Sequence, residues 1–194
     1  MFSSQNANNI ILAIYQDIRT VFRLIDIAIL VGETNFQSLN KKLNYYVRTA
    51  KLNNPRKGIY TKTKYNPEEL ACNIYTPSYI SLEFVLQKAG VIFQYDSSIT
   101  SVSYLRRNIE VEGQAYNYHK IKGEILVNVA GILQQNNNIN IASPERAFLD
   151  MLYLNANYYF DNLNPLNSKT VFKLLPIYQS KAMTSRLTKL LQND

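Results

Sequence analysis

The stretch TNFQSLNKKLNYYVRTAKLNNPRKGIY, residues 34–60, decides the reading of the fold. Thr34, followed three residues on by Gln37, is a capping-box pattern and predicts a helix over about 35–50. Within it Phe36, Leu39, Leu43, Val47 and Ala50 recur at helical spacing as one apolar stripe. A rotation of ~100° per residue puts Gln37, Ser38, Lys41, Asn44, Tyr45 and Arg48 on the opposite face. That face carries cations, amides, a hydroxyl and a phenol but no acid, and such groups bond to phosphate oxygens and base edges. In residues 51–60 two short apolar segments flank a turn holding Pro55, Arg56, Lys57 and Gly58, which reads as a hairpin with a basic tip. A basic-faced helix running into a basic hairpin is the recognition helix and wing of a winged helix-turn-helix. Gln37, Ser38, Lys41, Asn44 and Tyr45 are then the candidates for base reading, and Lys42, Arg48, Arg56 and Lys57 for phosphate contacts. The alternative is a solvated amphipathic helix followed by an ordinary β-turn.

The upstream residues supply the rest of that motif. Ile10, Ile11, Ile14 and Ile18 fall on one face of a first helix over residues 8–18, beside Tyr15. Thr20-Val21-Phe22 is a β-branched and aromatic step suited to a short strand that pairs with the wing. Leu24, Ile27, Ala28 and Val31 mark a second helix, and Gly32 is placed to end it in a left-handed conformation. The expected order is helix, short strand, helix, turn, helix, hairpin.

Charge agrees with this placement. Of 194 residues, 1–64 hold ten Lys and Arg against three acids, a net +7, while 65–194 hold eleven of each. The whole excess lies in the first third, which points to a polyanion partner for that third alone, here double-stranded DNA with an operator of inverted-repeat type. Cys72 is the single cysteine, so no disulfide closes within the chain and a reducing cytoplasm is the natural compartment. The apolar run Ile10–Tyr15 is too short to span a membrane, and the amino-terminal residues lack the cationic start of a signal peptide.

Polar, aperiodic residues 61–65 suggest a boundary, with a DNA-binding domain at 1–64 and a second domain at 65–194. Asn66-Pro67-Glu68-Glu69 opens a helix with an N-cap, Pro at N1 and acids in the first turn. Ser78 should begin another, from Tyr79 to about Ala89, ended by Gly90. From Val91 to Ile141 the period turns towards two: Val91/Phe93/Tyr95, Val102/Tyr104, Ile109/Val111, Tyr116/Tyr118 and Ile125/Val127/Val129 alternate. Glu112-Gly113 reads as a hairpin turn, and Gln134–Asn138 as a mobile low-complexity loop. Ser143-Pro144-Glu145 caps a helix through Leu154, and Ser168–Leu175 and Ser180–Leu191 close the chain as helices. The expected class is α+β: a winged helix-turn-helix followed by helices around a small, mainly antiparallel sheet.

Three of these segments carry a family resemblance. Phe22–Tyr60, with Leu43-Asn44-Tyr45-Tyr46-Val47 and Arg56-Lys57-Gly58-Ile59-Tyr60, resembles the amino-terminal winged helix of AbiEi-type antitoxins. Tyr75-Thr76-Pro77-Ser78-Tyr79-Ile80-Ser81-Leu82-Glu83 resembles the start of their second domain, and Ser143-Pro144-Glu145-Arg146-Ala147-Phe148-Leu149-Asp150 their carboxy-terminal motif. The resemblance implies a bacterial antitoxin of a type IV abortive-infection module. Its first domain would repress the toxin–antitoxin operon and its second would counteract a nucleotidyltransferase-like toxin. The resemblance brings no catalytic residues. A competing class is a winged-helix transcription regulator whose second domain senses a ligand or dimerises.

Catalysis finds little support in the residue types. His119 is the single histidine, too few for a His-based zinc site, and with Cys72 alone no Cys/His cluster or Ser-His-Asp triad assembles. No P-loop or G-x-G-x-x-G occurs. Glu83, Glu110, Glu112, Glu145 and Asp150 lack the spacing of a nuclease metal site and read as solvated or paired acids. Arg146 and Asp150, four apart on one helix, read as a structural pair tying that helix to the sheet. Tyr46, Tyr60, Tyr79, Tyr104 and Tyr153 sit at apolar-periodic positions, and most should be core or half-buried. No enzyme activity, cofactor or metal is expected.

Overall fold

Leu39, Leu43 and Tyr46, spaced four and three apart, are the fully buried face of the helix at the centre of residues 34–60. Around them the computed structural model, which describes residues 4–135 and 137–192, builds a core from Ile10, Ile14, Phe22, Ile27, Ala28, Leu52 and Tyr60. This first unit comprises residues 1–74 with 135–139; the second comprises 75–134 with 140–194.

The elements of the first unit are α1 (Ser4–Gln16), β1 (Val21–Arg23), α2 (Leu24–Val31), α3 (Phe36–Arg48), β2 (Asn53–Arg56), β3 (Ile59–Thr61) and α4 (Pro67–Ile74). The strands form one antiparallel sheet in the order β1-β3-β2, with Phe22 opposite Tyr60 and Arg56 opposite Ile59. The strand expected before α2 is therefore present and pairs with the hairpin. Gly32 ends α2 at φ 65°, in the left-handed region, and its amide and that of Glu33 return to Ile29 and Ala28 carbonyls.

Several local details differ from the pattern reading. The N-cap of α3 is Asn35, whose Oδ1 accepts the Ser38 amide at 2.9 Å, rather than Thr34. The Glu33 carboxylate takes the Asn35 amide and sets the chain one residue later. Phe36 is 43% exposed, and Tyr46 takes the core place assigned to Ala50. Ala50 instead leaves the helix at φ 54°, and the Ala50 and Lys51 amides bond back to the Val47 and Tyr46 carbonyls. This Schellman turn aims the chain into β2. Ile18 lies past the end of α1 and is 69% exposed.

The boundary falls after Ile74, ten residues beyond the composition shift, because α4 belongs to the first unit. Its buried Glu69 accepts the Thr20 and Val21 amides at 2.6 and 2.9 Å and the Thr20 hydroxyl at 3.0 Å, so α4 holds the start of β1. Asn66 caps α4 as expected, accepting the Glu68 amide.

The second unit is α+β, with a mixed sheet. It runs β4 (Ser78–Ile80), α5 (Glu83–Lys88), β5 (Ile99–Ser103), β6 (Arg107–Val111), β7 (Gln114–Lys120), α6 (Gly123–Leu126), β8 (Ile132–Gln134), β9 (Asn140–Ala142), α7 (Pro144–Leu154), α8 (Ser168–Leu174), a 3₁₀ turn at Leu175–Tyr178, and α9 (Lys181–Gln192). The six strands lie in the order β6-β7-β5-β4-β9-β8. Three pairings are antiparallel, but β5–β7 and β4–β9 are parallel, so the expected mainly antiparallel sheet is a mixed one. Alternation of side chains reports a half-buried strand and is blind to the direction of its neighbour.

Tyr79 and Ile80, expected in a helix, form the central strand β4, paired on both edges; the helix starts only at Glu83. Val91, Phe93 and Tyr95 form no strand, and Phe93 and Tyr95 are 68% and 82% exposed. Ile125 lies in α6, with Val127 and Val129 exposed after it. Glu112 and Gly113, at φ 51° and 81°, make the β6–β7 turn with two successive positive φ angles, a pairing that suits the twist of a hairpin. Asn136 of the low-complexity tract and the amino-terminal residues 1–3 lie outside the described residues.

Helix α7 is fixed by a buried ionic network. Ser143 accepts the Arg146 amide as N-cap, with Pro144 at N1. Arg146 and Asp150 are both fully buried and bond at 3.3 Å. Asp150 accepts hydroxyls from Ser81 at 2.8 Å, Tyr178 at 2.7 Å and Tyr79 at 3.0 Å. Arg146 donates further to the Ala130 and Ile125 carbonyls at 3.0 and 2.8 Å and to the Tyr79 hydroxyl. Burial pushes the Asp150 carboxyl up, while the guanidinium and the three hydroxyls pull it down. The pair ties α7 to β4 through Tyr79, the structural role its spacing suggested.

Candidate functional site

The outward face of α3 is built by default: once Leu39, Leu43 and Tyr46 turn inward, the intervening residues face solvent. Gln37, Lys41, Asn44, Tyr45 and Arg48 are exposed, and Ser38 is half-buried in the first turn. Tyr45 is 50% exposed, with its ring edge-on to Tyr46 at 5.7 Å. Arg56 and Lys57 stand at the β2–β3 turn, which the Asn54 amide holds by donating to the Arg56 and Ile59 carbonyls at 3.0 and 2.7 Å. A hydrogen bond from the Tyr60 hydroxyl to Asn40 at 2.7 Å couples β3 to α3, so helix and hairpin keep a fixed relation. Beside the turn a groove of about 420 Å³ is lined by Arg23, Phe36, Arg56 and Lys57.

The acids of this segment are engaged elsewhere. Asp17 pairs with Arg19 at 2.6 Å, Asp26 with Arg23 at 3.1 Å, and Glu33 with Lys42 at 3.3 Å. Hydrogen bonds from Arg19 hold the Asp17 carboxyl below its usual value; the Asn35 amide and then Lys42 do the same for Glu33. Among the described residues, Lys41, Arg48 and Lys57 have no carboxylate at ion-pair distance. Lys42 is set apart from the other candidates: it is turned to Glu33 and lines a small cavity with Ile10 and Ala13. Counted by unit, the first carries ten Lys and Arg against five acids and the second eleven against nine, so five of the seven net positive charges lie in the first unit.

One cluster escaped the sequence reading. In the second unit Glu83, Arg106, His119 and Lys120 line a single cavity of about 480 Å³. Arg106, His119 and Lys120 follow Glu83 by 23, 36 and 37 residues; the β6–β7 hairpin, with Arg107 opposite Tyr118, sets Arg106 near His119, and Glu83 joins them from α5, so no motif is left in the sequence. Among the described residues no group of three His, Cys, Asp or Glu side chains is placed to hold a metal ion. No helix among them is long and apolar enough to cross a membrane. Of the tyrosines expected to be mostly core or half-buried, Tyr46, Tyr60 and Tyr79 are buried and Tyr153 half-buried, whereas Tyr104 is 48% exposed.

These features define a two-unit α+β protein with a basic helix-and-hairpin surface on its first unit. No family model matches the chain, and no curated protein matches it. Among solved structures it is similar to the RV2827C protein from Mycobacterium tuberculosis, at 11% sequence identity and a TM-score of 0.56, over 97% of this chain and 76% of that one. At this identity the likeness is one of fold alone.

Proposed function

We propose that residues 1–64 form a winged helix-turn-helix whose α3 reads the major groove of operator DNA while the β2–β3 hairpin acts as the wing. The observation that carries this reading is the acid-free outer face of α3, exposed over its length beside a basic turn whose position is locked by Tyr60 and Asn40. A helix of 13 residues is about 20 Å long and of a width the major groove admits. Gln37, Ser38, Lys41, Asn44 and Tyr45 read bases. Arg48, Arg56 and Lys57 hold phosphates, with Lys42 joining them if DNA draws it from Glu33. The chain is then a cytoplasmic, bacterial DNA-binding antitoxin that represses its own operon and counteracts a nucleotidyltransferase-like toxin. The AbiEi-type segments support the antitoxin role.

The test has two arms. The full chain is titrated with duplex DNA from upstream of its own gene over a range of salt. Four to six phosphate contacts give a log–log slope of about −4 to −5, and binding without salt dependence defeats the DNA reading. The full chain is also expressed with the toxin-type neighbour, scoring growth. DNA binding without rescue leaves the plain transcription regulator.

A further inference from the structure

The cavity in the second unit has a mixed wall. Glu83 lies in the first turn of α5, Arg106 just before β6, and His119 and Lys120 at the end of β7, where they pair with Val102 and Ser103 of β5. Leu82, Met151 and Leu154 supply the apolar part. Glu83 Oε2 is buried and has no hydrogen-bond partner among the described residues. Native proteins rarely leave a carboxylate oxygen in that condition, and where they do a ligand or water is the usual explanation. The residue before it, Leu82, is held at φ 60°, ψ −137°, a strained combination for any side chain, and such strain gathers at functional sites. Burial holds the His119 imidazole below its usual value, with Glu83 opposing and Arg106 adding to the shift. At neutral pH the ring therefore offers one donor and one acceptor.

We propose that this cavity binds a mononucleotide. Three demands select that class. Arg106 and Lys120 call for an anion, and phosphate is the group both side chains hold well. The orphaned Glu83 oxygen calls for a hydroxyl or amino hydrogen, which a ribose or a base supplies. Leu82, Met151 and Leu154 call for an apolar face, which a base presents edge-on or flat. A volume of about 480 Å³ lies in the range of small-molecule sites and exceeds what inorganic phosphate fills. The site is in the second unit and is independent of the DNA-binding reading.

His119 is the single histidine, so its ring gives one set of NMR signals in the full chain. Those signals are followed on titration with AMP, GMP, CMP, UMP, adenosine, ribose 5-phosphate and inorganic phosphate. At least one mononucleotide should shift them saturably, more tightly than phosphate or adenosine. Arg106→Ala, at an exposed position, and the near-isosteric Glu83→Gln should each weaken that binding about tenfold or more. Lys169→Ala, an exposed charge away from the cavity, should leave it unchanged, as should Lys41→Ala with Arg48→Ala. Phosphate binding as tightly as every nucleotide, no saturable shift with any of them, or full affinity in Glu83→Gln overturns the proposal. Loss of binding in the Lys41/Arg48 variant places the nucleotide on α3 and overturns it as well.

Discussion

Arg48 and Arg146 are the same side chain put to opposite uses. Arg48 ends the outer face of α3 and is exposed. Arg146 is fully buried, with its charge met by Asp150 and its remaining donors by two carbonyls and a phenol. The first arrangement leaves a charge available to a partner at little cost to folding. The second takes two charges out of water, which is tolerable only because nearly every donor and lone pair is used. A basic residue therefore declares its role through its company: a carboxylate, carbonyls and a phenol around Arg146, solvent around Arg48.

The widest gap between the two should open on removing a partner. Asp150→Ala leaves a buried guanidinium and three hydroxyls without their acceptor, and should lower stability by about 3–5 kcal/mol, read by urea denaturation. A loss below 1 kcal/mol would mean that water reaches Arg146 and that the burial contrast is wrong. A smaller effect of opposite sign is expected at the end of α3. Ala50→Gly relieves a left-handed alanine, partly offset by a looser unfolded chain, and should stabilise by about 0.5–1 kcal/mol. A destabilised Ala50→Gly protein would show that this turn is set by its side chain and not by its φ. The smallest change in stability belongs to Lys41→Ala with Arg48→Ala, within about 0.5 kcal/mol. On the DNA reading the same pair removes operator binding and repression and leaves protection from the toxin in place. A folded variant that no longer protects would move antitoxicity onto the nucleic-acid face.

The His119 ring adds a pH test. Its folded-state value is lowered, so the unfolded chain binds the extra proton first. Stability from this group is full above the usual histidine range and falls as pH drops through it towards the lower folded value. Chemical denaturation of wild type and His119→Gln across that window should converge at the acid end. Parallel curves would mean that the ring titrates as it does in solvent.

How much of this was legible depended on how local the cause was. Gly32 after α2, Glu112-Gly113 in the β6–β7 turn and Ser143-Pro144 before α7 are settled within four residues, and the sequence pattern located each. The stripe of α3 was read one position astray because Ala50 and Tyr46 both satisfy the period, and only the turn into β2 decides between them. Ile80 fits a helical spacing with Phe84, but the pairing of Tyr79 and Ile80 with β5, and of Ile80 with β9, overrides it. The outer face of α3 was legible because a helix fixes its own faces. The Glu83–His119 cavity was not, because its residues come from α5, the approach to β6 and the end of β7, which only the tertiary fold brings together.

Glu69 has a consequence for the order of synthesis. The amides that open β1 are finished when residue 21 is made, yet their acceptor lies 48 and 49 residues downstream. At 5–20 residues per second the nascent chain waits roughly 2–10 s for it. Until Glu69 emerges, the strand that receives the hairpin has an unanchored beginning. A fragment cut at residue 64 makes that wait permanent, whereas one cut after Ile74 ends it.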